Sequence, residues 1–169
     1  MEDHMLIRHL IFVATLVASP VQAADLTGRA SVIDGDTIEI SGQRIRLNGI
    51  DAPECWQQCR DGKGREYRCG KDAAFALDQL LSASRPTTCL EVDQDRYGRI
   101  VADCFGADGE PVNGWLVRQG HAVDWVRYSK GQYAKEQAAA KAERRGIWQG
   151  KFEQPCIARA ARTKRAPAC

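Results

Sequence analysis

The chain has almost no histidine. Three occur in 169 residues, and His4 and His9 lie in an N-terminal stretch that reads as a leader, which leaves His121 for the mature protein. Hydrolytic schemes that need two imidazoles, and metal centres built on histidine ligands, are thereby excluded. His121 itself follows Gly120 and reads as a helix-end residue. A Gly-x-Ser-x-Gly elbow and a glycine-rich phosphate loop are both missing, so serine-hydrolase and P-loop chemistry drop out as well. The longest apolar run, residues 10–18, falls well short of the ~20 residues that cross a bilayer. Charge is nearly balanced, at a formal net of +2, and Arg159, Arg162, Lys164 and Arg165 crowd the C-terminal end. Bulk charge therefore argues neither for nor against a polyanionic partner, and any such binding must come from individually placed arginines.

What is present divides the chain into three parts. Arg8 and His9 precede the apolar run, and Val21-Gln22-Ala23 fits a small-residue cleavage site, so residues 1–23 read as a signal peptide with Ala24 first in the mature chain. Residues 24–155 suit one domain with a real core. Residues 156–169 turn to Ala, Arg and Lys and read as a basic, disordered tail. All seven cysteines follow the leader, which fits an oxidising compartment and a secreted or periplasmic protein. If 95–98 is a hairpin turn, Cys89 and Cys104 fall opposite each other and can pair. Cys59 and Cys69 are expected to close the loop after the acidic unit described next. Of Cys55, Cys156 and Cys169, one is then free or pairs between chains. Zinc is disfavoured, because Cys55, Cys59 and Cys69 lack the paired CxxC or histidine spacing of structural sites.

Residues 33–54, IDGDTIEISGQRIRLNGIDAPE, carry the chemistry. Asp34-Gly35 reads as a type I′ hairpin turn, Thr37 to Ile40 alternates, Ser41-Gly42 breaks the strand, and Arg44 to Leu47 alternates again. A three-stranded meander would bury Ile38, Ile40, Ile45 and Leu47 and set Arg44 and Arg46 on the other face. Asp36 opens the second strand and Asp51 closes the third, so the fold brings them together. Two adjacent carboxylates need neutralising, and a hard divalent cation does so with oxygen ligands alone. Glu54 would then reach a water beside that ion. The plain alternative is two turn-capping aspartates and a solvated glutamate.

Further along, helical spacing marks residues 71–83, residues 87–92 and 99–105 form a second hairpin, Pro111 and Gly120 bracket a short helix, and 132–145 is strongly helical. The pattern is α+β and dominated by a β-barrel of five strands, with about three helices packed outside it. Asp95-Arg96-Tyr97-Gly98-Arg99 is a turn in structural terms, but it also delivers the guanidinium of Arg99 from the far hairpin, and such a fork binds phosphate oxygens. Metal-assisted hydrolysis of a phosphodiester, with a carboxylate base and arginine clamps, is the chemistry left.

Four ordered motifs resemble the staphylococcal nuclease (thermonuclease) family: Ile33-Asp-Gly-Asp-Thr37, Arg46-Leu-x-Gly-Ile-Asp51-Ala-Pro-Glu54, Asp95-x-Tyr97-Gly98-Arg99 and Leu116-Val-Arg-Gln-Gly120. The likeness runs from about Ser31 to Trp148 and takes in secreted proteobacterial members. It implies a five-stranded OB-fold barrel and a calcium-dependent endo- and exonuclease that cuts DNA and RNA to 3′-phosphate ends, with single strands favoured and a monomer expected. By this resemblance Asp36 and Asp51 hold one Ca²⁺, with the backbone carbonyl of Ala52 as a further ligand. Glu54 is the general base, Arg46 and Arg99 bind the scissile phosphate, and Tyr97 and Tyr128 contact the nucleotide. One aromatic position of the best-known member holds Val126 here, with Trp125 beside it. The alternative is a non-catalytic OB-fold module that binds single-stranded nucleic acid or another polyanion.

Overall fold

A computed structural model describes residues 25–169. The leader read over 1–23 lies outside the described residues. In chain order the strands and helices are β1 (Leu26–Gly28), β2 (Ala30–Asp34), β3 (Thr37–Ile40), β4 (Gln43–Leu47), β5 (Ile50–Asp51), β6 (Cys59–Arg60), β7 (Glu66–Tyr67), α1 (Cys69–Ala83), β8 (Thr87–Gln94), β9 (Ile100–Phe105), α2 (Val112–Arg118), β10 (Val123–Asp124), α3 (Val126–Ser129), α4 (Ala134–Ala142) and α5 (Pro155–Thr163), with a 3₁₀ turn at Gly146–Gln149 before the last.

Six strands form the main sheet in the order β1-β8-β9-β4-β3-β2. Its two ends are consecutive in sequence, separated only by Arg29, so one bent segment pairs with β8 at one end and β3 at the other. This accounts for the difference from the five strands expected, since the first strand is cut in two where it turns the corner. Gly28 sits at that corner, and a Cβ there would lie 2.8 Å from Ile40 Cγ2. A bare backbone is what lets the strand cross so closely. The expected core face is buried as drawn, with Ile38, Ile40, Ile45 and Leu47 all joining the main cluster beside Leu77 of α1 and Leu116 and Val117 of α2.

The turns differ from the reading in one respect. Ser41 and Gly42 both take positive φ, at 51° and 80°, and so make the primed turn between β3 and β4. Between β2 and β3 the turn is instead Gly35-Asp36, without positive φ, and the register slips between Val32 and Asp34. Gly35 is needed there for space, because a Cβ would meet Ala52 at 2.9 Å and Ala73 of α1 at 3.0 Å.

In the second hairpin Cys89 faces Cys104 and the two are bonded. The loop is one residue longer than a four-residue turn, with Asp95 N donating to Arg99 O, and a bulge between Glu91 and Asp93 restores the register. Parallel pairing of β4 with β9 joins the two hairpins.

Four features lie outside the sequence reading. The β5–β10 pair and the β6–β7 ribbon are two residues long per strand, too short to show periodicity. Among the described residues the helices number five rather than three, because α3 and α5 join the expected ones. Of the tail read as disordered, residues 156–163 are helical as part of α5, and Cys156 bonds Cys169. Cys59–Cys69 forms as expected, and Cys55 is the free thiol.

Candidate active site

Asp36 and Arg46 meet because Thr37 pairs with Arg46 across β3 and β4, which sets Asp36 beside the guanidinium at the strand end. Asp36 is also bonded by Thr37 Oγ1 at 3.1 Å, and its second oxygen accepts from Ala52 N at 2.9 Å. Ala52 thus contributes its N–H to hold the first carboxylate. Asp51 lies in β5, fixed by pairing with Val123 of β10, and is fully buried. Arg46 bridges the two acids. Its Nη1 pairs with Asp36 Oδ1, while Nη2 donates to Asp51 Oδ1 and to Ile50 O, each at 3.2 Å. Burial brings Arg46 down to about 10, Asp51 opposes that shift, and the like charges of Arg159 and Arg99 add to it.

Glu54 is held by its backbone. Its carbonyl accepts from Gln57 N at 2.7 Å, and a Cβ on Gly70 would come within 1.7 Å of that same oxygen. Helix α1 can therefore start directly against Glu54 only because residue 70 has no side chain. Next to it, the Cys55 thiol donates to Asp34 Oδ1 at 3.1 Å. Burial and this bond push the thiol up to about 11.

The acids have a second arginine that the sequence reading did not place. Arg159 of α5 forks onto Asp51, with Nη1 to Oδ1 at 2.7 Å and Nη2 to Oδ2 at 2.9 Å, and Nη1 also reaches Glu54 Oε1 at 2.9 Å. Burial lowers its pKa, but the bonds to Asp51 and Glu54 outweigh that and leave it above the ordinary value. The Trp125 ring is close to two guanidinium groups, Arg46 at 5.5 Å and Arg159 at 5.3 Å from its centre.

In front of Arg46 opens a cavity of about 620 Å³, lined among others by Arg99, Tyr97, Trp125 and Tyr128. Tyr97 and Tyr128 are more than half exposed, with Arg96 lying over the Tyr97 ring and Arg127 near that of Tyr128. Arg99 is held by Asp95 Oδ2 through Nε and Nη2, both at 2.7 Å, and does not bond to the acid cluster. Of the predicted residues, Asp36, Asp51, Glu54, Arg46 and Ala52 thus form one connected group, while Arg99, Tyr97 and Tyr128 belong to the cavity that Arg46 shares. Arg159 was missed because its partners lie more than a hundred residues upstream. The usable signal was Cys156 and Cys169, two cysteines that could close the tail into a ring.

A family model described as staphylococcal nuclease homologue matches residues 44–150. The chain belongs to the staphylococcal nuclease family. Within it, the succinoglycan biosynthesis protein ExoI of Rhizobium meliloti is 52% identical over 160 residues, covering 94% of this chain and 84% of that protein. An uncharacterized endonuclease of Escherichia coli is 33% identical over 147 residues, covering 83% and 89%. Endonuclease YhcR of Bacillus subtilis is 32% identical over 131 residues, covering 69% of this chain and 11% of that much longer protein.

The family implies a calcium ion. Asp36 and Asp51 are buried carboxylates, and no thiolate or imidazole bonds to either. That suits a hard cation. Among the described residues, however, no group of three or more His, Cys, Asp or Glu is drawn together as an ion cage. The negative charge is balanced instead by Arg46 and Arg159.

Proposed function

We propose that the protein is a calcium-dependent phosphodiesterase, an endo- and exonuclease hydrolysing DNA and RNA to 3′-phosphate products. The observation that carries this reading is the Arg46 bridge, which ties the two buried aspartates to a cavity that also holds Arg99. Asp36, Asp51 and the carbonyl of Ala52 would hold the ion, which when bound polarises phosphate and water oxygens. Glu54 takes a proton from the attacking water. Arg46 and Arg99 pin the scissile phosphate and meet the charge that grows on its oxygens. Tyr97 and Tyr128 offer faces on which unpaired bases stack, which favours single strands. Three disulfides fit a secreted or periplasmic protein.

A second reading is favoured by one observation, the engagement of Asp51 and Glu54 by Arg159. It makes the chain a non-catalytic module that binds single-stranded nucleic acid or another polyanion through its arginines. Digestion of single-stranded DNA with calcium or with chelator separates the two. The nuclease reading requires calcium-dependent products, with Glu54→Gln and Arg99→Ala each slowing turnover at least a hundredfold. Salt-sensitive binding without products selects the module.

A further inference from the structure

We infer that α5 and the chain end that follows it form an internal latch, in which Arg159 competes with a divalent cation for the site acids. This rests on the cation-pocket reading of Asp36, Asp51 and Glu54. The fork of Arg159 engages both oxygens of Asp51 and one of Glu54. An ion on Asp51 would have to approach the same oxygens against the charge of the guanidinium that already covers them. Occupation by one therefore excludes the other, and the helix and the cation are alternatives at one place.

The way α5 is attached fits a part that can leave. No residue after Phe152 belongs to either hydrophobic cluster. The segment buries only the small side chains of Pro155, Cys156, Ala158 and Ala160, outside both clusters, and its larger contacts are charged and aromatic. Arg159 lies over Trp125, Arg162 lies 4.6 Å from the ring centre of Trp56, and Trp125 Nε1 donates to Ala168 O at 3.2 Å. Contacts of this kind give way to competing ions far more readily than apolar burial does. The Cys156–Cys169 bond joins the start of the helix to the chain end, not to the body. It closes a ring that moves as a unit and brings Ala168 back onto Trp125. Upstream, Gln57 Nε2 donates to Glu153 O at 2.6 Å and Lys151 pairs with Arg60. The chain is thus pinned up to Glu153, and Gln154 is the pivot between the fixed part and the ring.

Two consequences follow. Opening the ring by reducing Cys156–Cys169 removes the Ala168 contact and loosens the latch. Phosphates of a bound strand attract Arg159 away from the acids and Arg162 away from Trp56, so substrate and cation favour the same open state.

The test is a calcium titration by calorimetry on the full chain, without nucleic acid, for the wild type, Arg159→Gln, and Cys156→Ser with Cys169→Ser. If the latch is closed nine-tenths of the time, apparent affinity is about tenfold weaker than intrinsic. Arg159→Gln should therefore bind calcium about tenfold more tightly, and the double cysteine variant should lie between it and the wild type. An unchanged dissociation constant in a folded Arg159→Gln protein overturns the latch. Should that variant fail to fold without calcium, amide exchange on the wild type decides. Protection over 155–169 falls when calcium is added if the latch is real, and unaltered protection rejects it. Tighter calcium binding with no DNA digestion by any variant would reject the nuclease reading and keep the latch. Digestion by the wild type with no change in calcium binding or exchange would do the reverse.

Discussion

Cys55 illustrates how much a single side chain can report. Its thiol is pushed up from 9.0 to about 11 by burial and by its bond to Asp34. The folded protein therefore holds that proton more firmly than the unfolded chain does. The resulting stability is fully present below pH 9 and is lost as the pH rises from there toward 11. Native protein should take up iodoacetamide slowly at pH 8 and faster near pH 11, at one site counted by mass spectrometry. Cys55→Ser should flatten the alkaline fall in melting temperature. At this scale the site was largely legible in advance. Asp36, Arg46 and Asp51 sit within sixteen residues, and strand alternation plus two turns is enough to bring them together. Arg159 was not, because no local pattern links it to Asp51, and an Ala- and Arg-rich tail has too little apolar content to announce a packed helix.

Elements place these residues more tightly than their own propensities would suggest. The start of α1 lies on the Glu54 backbone, and Gly70 makes that contact sterically allowed. Its φ is not the issue, since only volume is restricted. Gly70→Ala should therefore fold with its disulfides intact yet shift Glu54, lowering turnover of any phosphodiester substrate at least tenfold and cutting stability by roughly 1–3 kcal/mol, the usual range for overpacking. A stability loss with unchanged turnover would show that Glu54 does not depend on this contact. The β5–β10 pair plays a similar part for Asp51. It could not be read from sequence, because two residues per strand carry no alternation, whereas the longer strands and α1, with clear periodicity, were read to within a few residues.

On the scale of the molecule, two hairpins are held together by the parallel β4–β9 pairing, and the disulfide between Cys89 and Cys104 lies inside one of them in the core. Its sequence separation is 15. A ring of that size should stabilise the fold by about 3 kcal/mol, mainly by restricting the unfolded chain. Replacing both cysteines with alanine should lower denaturant-derived stability by at least that much, whereas the Cys156–Cys169 ring, of similar size at a separation of 13, should add little to the main transition if α5 releases before the body unfolds. Equal losses would mean that α5 is a structural pillar of the fold. The bend at Arg29 has its own consequence. Because residues 26–34 supply both margins of the sheet, they act like the overlapping flap of an envelope, and trimming the N-terminus past Asp25 would open two seams at once. A chain that starts at Asp25 keeps the closure whole, while one that starts a few residues further in would leave β8 and β3 each with a raw edge.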